Sequence, residues 1–181
     1  MLKNYSKYNW YVITGGPSSG KTTLIKELSK LGFITCPETA RILIDKGIRS
    51  GKSVKEIRGD EAGFQRKVLK MKLEQEKEMP KDKIVFFDRA IPDSIAYYQI
   101  CGLDPKEVLK FCPRKRYKKV FFLEQLCFDR DYARTENRKT IQKLNHLLKE
   151  SYKNLGYKVI AILPMSVKGR IKKILKEIKC D

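Results

Sequence analysis

The stretch "GGPSSGKTT", Gly15 to Thr23, decides the fold and the first functional prediction. Gly15, Gly20, Lys21 and Thr22 fit the spacing GxxxxGK[ST]. Glycines let the backbone turn tightly, so that its N–H groups point inward at phosphate oxygens, and the N-terminus of a following helix adds partial positive charge. In this spacing the lysine reaches the β and γ phosphates and the hydroxyl ligates Mg²⁺. The alternative is a glycine-rich turn without a ligand. We predict nucleoside triphosphate binding by Gly15, Gly16, Pro17, Ser18, Ser19, Gly20, Lys21, Thr22 and Thr23.

The sequence around this stretch predicts a strand before it and a helix after it. "NWYVITG" is apolar and β-rich, and "KTTLIKELSKLG" has helical periodicity that Gly32 ends. Four further strand candidates follow, each separated from the next by helical sequence: "FITCPE", "KIVFFD", "YKKVFFLE" and "YKVIAIL". Alternating apolar strands and helices indicate an α/β fold with a parallel sheet covered on both faces. Ligands of such sheets bind beyond the carboxyl ends of the strands.

Length and composition predict one domain over residues 1–181. The chain has 181 residues, of which 41% are hydrophobic and 34% charged, a composition typical of a soluble globular protein. Its apolar runs are too short for a membrane span, and the N-terminus lacks the pattern of a signal peptide. The five cysteines are odd in number and widely separated. We therefore expect reduced thiols and a cytoplasmic protein.

The charge balance is strongly basic, with 40 Lys plus Arg against 21 Asp plus Glu and a formal net charge of +19. Such a balance keeps nucleic acid among the candidate partners. Lysines outnumber arginines and are spread along the chain, a pattern that also fits a solvated surface. Charge alone does not decide between these interpretations.

The third predicted strand ends at Asp88, with Arg89 next. A carboxylate at such a strand end, near a phosphate loop, can hold Mg²⁺ or accept a proton from an attacking hydroxyl. Arg89 could clamp a phosphate or orient the substrate. The alternative is that Asp88 caps the helix predicted in "IPDSIAYYQICG". We predict Thr22 and Asp88 as metal ligands, and Asp88 and Arg89 as catalytic residues.

The second predicted strand ends in "PETAR", which puts Glu38 at the same edge of the sheet and Arg41 about one helical turn later. Glu38 is a candidate general base or an acceptor of hydrogen bonds from substrate hydroxyls. Its structural alternative is a helix first-turn residue favoured by the macrodipole. We predict both residues at the substrate site.

The segment "RDYARTENR" places Arg130, Arg134 and Arg138 four residues apart, which is one stripe if the segment is helical. Like charges at that spacing repel, so the stripe gains from an anion. The alternative is a solvated helix with its arginines paired to neighbouring acids.

These motifs together resemble the nucleoside and nucleotide kinases among the P-loop proteins. "FFDRAIPDSIAYYQ" is similar to the Asp-Arg pattern of thymidylate kinases and occupies the place of the Glu-Arg-Ser motif of deoxynucleoside kinases. Over nearly the whole chain the sequence resembles small AAA-type ATPase or kinase-like domains related to nicotinamide riboside kinase domains. The Arg-Glu-Pro element of thymidylate kinases is missing, and Asp88 stands where deoxynucleoside kinases have Glu.

The resemblance implies a P-loop NTPase three-layer sandwich with strand order 2-3-1-4-5 and an arginine-bearing lid. "AGFQRKV" is similar to the Phe-Gln element whose glutamine reads the substrate base, and this implies substrate contacts at Phe64 and Gln65. The resemblance also implies a lid over approximately residues 125–139, after the fourth predicted strand, that closes on the transferring phosphoryl group. Its arginines, Arg130, Arg134 and Arg138, would stabilise the transition state.

Three functions follow as hypotheses. The first is a Mg²⁺-dependent phosphotransferase acting on a nucleoside, nucleotide or related metabolite. The second is a nucleotide-binding switch or simple NTPase, and the third is a 5′-hydroxyl polynucleotide kinase. The chain lacks the NKxD guanine-reading signature, so ATP is the expected nucleotide, with GTP left open.

Overall fold

The computed structural model describes residues 8–112, 114–125 and 138–179, with Arg138 described by its backbone alone. Five strands form one sheet in the order β2-β3-β1-β4-β5, and every neighbouring pair is parallel. The predicted α/β class and strand order are confirmed. The strands are β1 (Trp10–Thr14), β2 (Ile34–Cys36), β3 (Val85–Asp88), β4 (Lys119–Leu123) and β5 (Val159–Ile162).

Helices connect the strands and cover both faces of the sheet. They are α1 (Lys21–Lys30), α2 (Thr39–Arg49), α3 (Val54–Ile57), α4 (Glu61–Glu78), α5 (Asp93–Ile100), α6 (Lys106–Leu109), α7 (Arg138–Lys153) and α8 (Val167–Lys179). The one-turn helices α3 and α6 were not predicted, since four residues are too few for a helical period. Helix α3 begins with a capping box in which Ser53 and Glu56 bond each other's backbone N–H groups.

The core lies on both faces of the central strands because alternate residues point to opposite sides. Trp10 and Val12 pack on the side of α7, whereas Tyr11 and Ile13 pack against α1 and α8. β1 and β3 are buried throughout, which accounts for their continuous apolar sequences. β2 and β5 are the edge strands and are only partly buried.

The register brings to one edge the three strand ends that carry predicted site residues. Ile13 pairs with Asp88, so the end of β3 lies beside the end of β1, from which the phosphate loop departs. β2 runs beside β3, with Cys36 opposite Phe87, so Glu38 follows at the same edge. None of the helices described is long and apolar enough to span a membrane.

Candidate active site

The phosphate loop connects β1 to α1, and its path requires glycine at both ends. Gly15 has φ +141°, and a Cβ there would lie 2.6 Å from the carbonyl oxygen of Leu123. Gly20 is the N-cap of α1 with φ +82°, and Ser18 adopts φ +59° between them. An L residue at either glycine position would be strained, because positive φ brings its Cβ against the backbone.

Lys21 folds back over the loop. Its ammonium donates hydrogen bonds to the Gly16 carbonyl at 2.6 Å and to the Ser19 hydroxyl at 3.0 Å. The first turn of α1 contains no acidic residue. The N-terminus of α1 and this ammonium together make the loop suited to an anion.

Asp88 is buried at the end of β3, and its Oδ1 has no hydrogen-bond partner among the described residues. Burial raises the pKa of this carboxyl to about 6, against the attraction of the Lys21 ammonium. Such a buried oxygen, together with the exposed hydroxyl of Thr22, offers the hard ligands that Mg²⁺ takes. The residues present therefore fit a magnesium ion carried with the nucleotide.

Asp88 does not cap α5, and the buried Asp93 carboxylate instead supports the turn before that helix. Pro92 is the N-cap of α5, and the Asp93 carboxylate accepts the Ala90 N–H at 2.8 Å. The same buried carboxylate accepts hydrogen bonds from the hydroxyls of Thr14 and Tyr152. Asp93 thus joins the end of β1 to α5 and α7. The two hydroxyl donors were not foreseeable from the sequence, because both lie far from Asp93 along the chain.

Arg89 and Glu38 form an ion pair behind the phosphate loop. The Arg89 Nη1 donates to Glu38 Oε1, and its Nη2 donates to the Gly15 carbonyl at 3.3 Å. The Arg89 guanidinium also lies 5.5 Å from the ring centroid of Tyr97. Glu38 is at the N-cap position of α2 but makes no side-chain capping bond. Its carboxylate is directed to the arginine, and 25% of the side chain is exposed.

A cleft of about 410 Å³ opens at this edge of the sheet and brings most of the predicted site together. Gly15, Gly16 and Asp88 are not among the residues that line it. The predicted residues that line it are Pro17, Ser18, Ser19, Gly20, Lys21, Thr22, Thr23, Glu38, Arg41, Phe64, Gln65 and Arg89.

Helix α4 forms the wall of the cleft that faces the loop. Phe64 and Gln65 are buried in its second turn, and the Gln65 amide donates to Glu61 Oε1 at 2.9 Å. Arg58 also pairs with Glu61, at 2.9 Å, and its guanidinium lies 5.8 Å from the Phe64 ring centroid. Arg41 lies at the mouth with 73% of its side chain exposed and bonds Asp45 at 3.0 Å.

Lys72 is a buried cation in the same wall that sequence reasoning missed. Its ammonium donates to the Ala90 carbonyl at 2.9 Å and to the Ser94 hydroxyl at 3.2 Å. Burial lowers its pKa below the usual range, against the attraction of Asp93 and Glu76. Lys72 therefore fixes the turn that follows Arg89, whose φ is +63°. In the sequence it was one lysine of a charged helix, without a distinguishing signal.

Two further residues contact the loop from distant helices. Arg170 of α8 is buried and donates to the Ser19 carbonyl at 2.5 Å and to the Glu124 carbonyl at 3.4 Å. A Cβ on Gly16 would collide with the Asn145 side chain of α7. The contact of Arg170 with Ser19 and that of Asn145 with Gly16 each join parts of the chain more than 120 positions apart. No local sequence pattern could have predicted them.

The predicted lid falls largely outside the described residues. Arg130 and Arg134 lie in the segment 126–137, and Arg138 is the first residue of α7. Their predicted contact with the phosphoryl group stays a prediction.

The fold and the loop together define a P-loop nucleotide-binding domain. The family described as AAA domain (AAA_28) matches residues 10–170. Because that match spans most of the chain, the chain belongs to this family, and the resemblance to AAA-type P-loop domains is confirmed. No curated protein sequence matches the chain.

Solved structures of small-molecule kinases share this fold. Thymidylate kinase from Ehrlichia chaffeensis is 17% identical, with a TM-score of 0.65 over 93% of this chain and 97% of that one. Deoxyadenosine kinase from M. mycoides with bound dCTP is 18% identical, with a TM-score of 0.62 over 95% and 100%. Shikimate kinase from Acinetobacter baumannii in complex with shikimate is 21% identical, with a TM-score of 0.59 over 99% and 96%. At these identities the likeness is one of fold.

Proposed function

We propose that the protein is a Mg²⁺-dependent kinase that transfers a phosphoryl group from ATP to a small molecule. One observation carries the proposal: the phosphate loop with Lys21 and the Glu38–Arg89 pair line the same cleft of about 410 Å³. A nucleotide-binding site alone requires the phosphate loop, and the partly exposed Glu38 carboxylate adds a group that can accept a proton from an acceptor hydroxyl. The fold shared with three kinases of small acceptors supports the same interpretation.

The phosphate side binds and orients the donor. The N–H groups of the loop and the N-terminus of α1 face the β and γ phosphates, and the Lys21 ammonium neutralises charge that develops in transfer. Thr22 and Asp88 would hold Mg²⁺, which neutralises phosphate charge when bound. Asp88 must be deprotonated for this role, and the nearby Lys21 favours that state.

The opposite side activates the acceptor. Glu38 lines the cleft, whereas Asp88 does not, so we assign the general base to Glu38 between the two predicted candidates. Its carboxylate would accept the proton of the attacking hydroxyl. Arg89 donates a hydrogen bond to that carboxylate and holds it in place. Arg130, Arg134 and Arg138 complete the proposal as transition-state stabilisers.

The lining of the acceptor side suits a ring-bearing metabolite. Phe64 and Tyr97 offer aromatic surface, and Gln65 and Arg41 offer hydrogen-bond donors. A nucleoside, a nucleotide or a related compound has both a planar ring and hydroxyl groups. We propose this class as the acceptor.

The test is a transfer assay with γ-labelled ATP or GTP, Mg²⁺ and a panel of acceptors: nucleosides, nucleotides, nicotinamide riboside, shikimate and 5′-hydroxyl oligonucleotides. Transfer to one small molecule supports the proposal. Lys21→Ala should abolish it, and Lys26→Ala, on the exposed face of the same helix, is the matched control. Label found only as free phosphate would instead indicate a simple NTPase, and label on the oligonucleotide alone would indicate a polynucleotide kinase.

A further inference from the structure

The edge of the sheet opposite the cleft carries a feature that phosphoryl transfer does not use. Residues 106–112 and 114–118, which we name the basic turn, comprise α6 and the connection into β4. Because they precede a strand of a parallel sheet, they lie at the amino ends of the strands. The basic turn contains six cations and one acidic residue, Glu107, which pairs with Arg66 at 3.4 Å.

Two large apolar side chains project from this turn. Leu109 and Phe111 are 44% and 42% exposed, on either side of the exposed Lys110. The residues that flank them, Val108 and Cys112, are buried in the core. The core therefore anchors the turn at both ends of the triplet and holds its apolar side chains outward. The free energy that burial of two large apolar side chains would provide is gained only if another surface covers them.

Exposed cations neighbour the apolar pair in the sequence and recur before the adjacent strands, with the exposed acids Asp82 and Asp104 among them. Lys106, Lys110, Arg114 and Lys115 are exposed within the basic turn. The Arg116 backbone N–H donates to the Tyr157 hydroxyl at 2.9 Å, which fixes the turn beside the start of β5. Further exposed lysines precede the neighbouring strands β3 and β5, at Lys81, Lys83 and Lys158.

Helix macrodipoles explain only part of this charge. Lysines in the last turn of a long helix, such as Lys153 of α7, are favoured by the negative helix end. The cations of the basic turn do not end a long helix, because α6 has four residues. They are instead interleaved with exposed apolar side chains, which is the composition of segments that enter the headgroup region of acidic membranes.

We propose that the basic turn docks the protein on the face of an anionic lipid bilayer. Phe111 and Leu109 enter the interface while Lys106, Lys110, Arg114 and Lys115 contact lipid phosphates and carboxylates. A bilayer fits better than nucleic acid, because single-stranded nucleic acid is bound by several stacked aromatic rings and the basic turn exposes one. Docking by this edge leaves the cleft at the other edge open to solution.

Vesicle sedimentation tests the proposal. The chain is mixed with sucrose-loaded vesicles of phosphatidylcholine, with or without about 30 mol % phosphatidylserine, at about 0.1 M and 0.5 M salt. We expect binding to be at least about tenfold stronger with phosphatidylserine at low salt, and to fall by a similar factor at high salt. No binding to the anionic vesicles overturns the proposal.

Two variants, each with a matched control, locate the surface. Leu109→Ser with Phe111→Ser should weaken binding roughly tenfold, whereas Leu163→Ser with Met165→Ser, which are 55% and 39% exposed beyond the far end of β5, should not. Lys110→Glu with Lys115→Glu should weaken it by more than about tenfold, whereas Lys168→Glu with Lys172→Glu on α8 should retain it.

Thermal unfolding checks that each variant is folded. If the variant with the two serines does not fold, the Lys110→Glu, Lys115→Glu variant still decides the test. Equal losses in the test and control variants would show general charge attraction and overturn the assignment to the basic turn. Binding to a 20-nucleotide single strand but not to vesicles, at about 0.1 M salt, would overturn it in favour of nucleic acid.

Discussion

The phosphate side of the cleft is lined by seven consecutive residues, Pro17 to Thr23, whereas the acceptor side draws its side chains from three separate places. Glu38 and Arg41 come from the start of α2, Gln65 from α4, and Arg89 from the turn before α5. In the proposed function, the first side binds the donor mainly through backbone groups, whose geometry glycines set. The second depends on side chains that only the folded sheet brings together. The proposal therefore has donor binding encoded locally and acceptor choice encoded by tertiary packing.

Lys21→Ala has the largest expected effect, because it impairs the phosphate side of the cleft. Loss of an ammonium aimed at the transferring group should lower phosphoryl transfer by about 10³-fold. It should also weaken ATP binding, because the substrate phosphates lose the same charge. Labelled transfer and equilibrium titration with a fluorescent ATP analogue measure the two effects, with Lys26→Ala as control. Unchanged ATP affinity would contradict the role of the loop.

Glu38→Gln should break the acceptor side alone. Removing a general base lowers turnover by about 10²-fold or more, while ATP affinity should stay within about twofold, since the phosphate loop is untouched. Turnover and affinity are measured in the same two assays. Glu56→Gln, in the exposed capping box of α3, is a matched control. If ATP affinity fell as far as turnover, the two sides of the cleft would not be separable.

Gln65→Leu should change the choice of acceptor more than the rate of transfer. The substitution keeps the approximate volume but removes the amide, so the KM of the acceptor should rise roughly tenfold, with a smaller change in kcat. Steady-state kinetics with the identified acceptor measure this. Gln75→Leu, farther along the same helix and bonded to Thr39 at 2.6 Å, is the control. An unchanged KM would remove Gln65 from the acceptor site.

Asp88→Asn should separate stability from activity. Since the folded-state pKa of Asp88 is raised from 3.8 to about 6, its contribution to stability is full below pH 3.8 and is lost as pH rises through 6. At pH 7.5 the buried, charged carboxylate lowers the free energy of unfolding, and the uncharged amide removes this destabilisation. The shift corresponds to at most about 3 kcal/mol, and the buried amide's own desolvation reduces the gain to about 1 kcal/mol.

Urea unfolding at pH 7.5, without nucleotide and with a chelator, measures that gain. The Asn variant should be more stable than the wild type there, and the difference should vanish near pH 4. Mg²⁺-dependent transfer should fall in the same variant. A destabilised variant at pH 7.5 would show that the carboxylate has favourable partners in the folded protein.

Sequence predicted the fold well because its determinants are local. The apolar runs give five strands, the alternation with helices gives a parallel sheet, and the GxxxxGK[ST] spacing fixes the loop. Glu38, Phe64, Gln65 and Arg89 were predicted at one site because each belongs to a motif in a known order, and their roles stay predictions. The structure brings these four residues to one cleft.

The site residues that were not predicted share a different property. Each makes a hydrogen bond to a part of the chain that is distant in sequence. Arg170 reaches the Ser19 carbonyl, and Lys72 reaches the Ala90 carbonyl. Nothing near Arg170 or Lys72 distinguishes it from the other basic residues of its helix. Long-range polar contacts of this kind leave no periodicity in the sequence.

The Asp93 carboxylate has a consequence for how the protein folds. It is bonded to Thr14, 79 residues earlier, and to Tyr152, 59 residues later, so the loop that leaves β1 acquires its native support only when α5 and α7 have docked. Contacts of such sequence separation form late, because loop closure must precede them. In refolding experiments, we therefore expect the capture of a fluorescent ATP analogue to lag behind helix formation followed by circular dichroism. Ligand capture would then report completion of the whole sheet, although the ligand touches mainly one short loop.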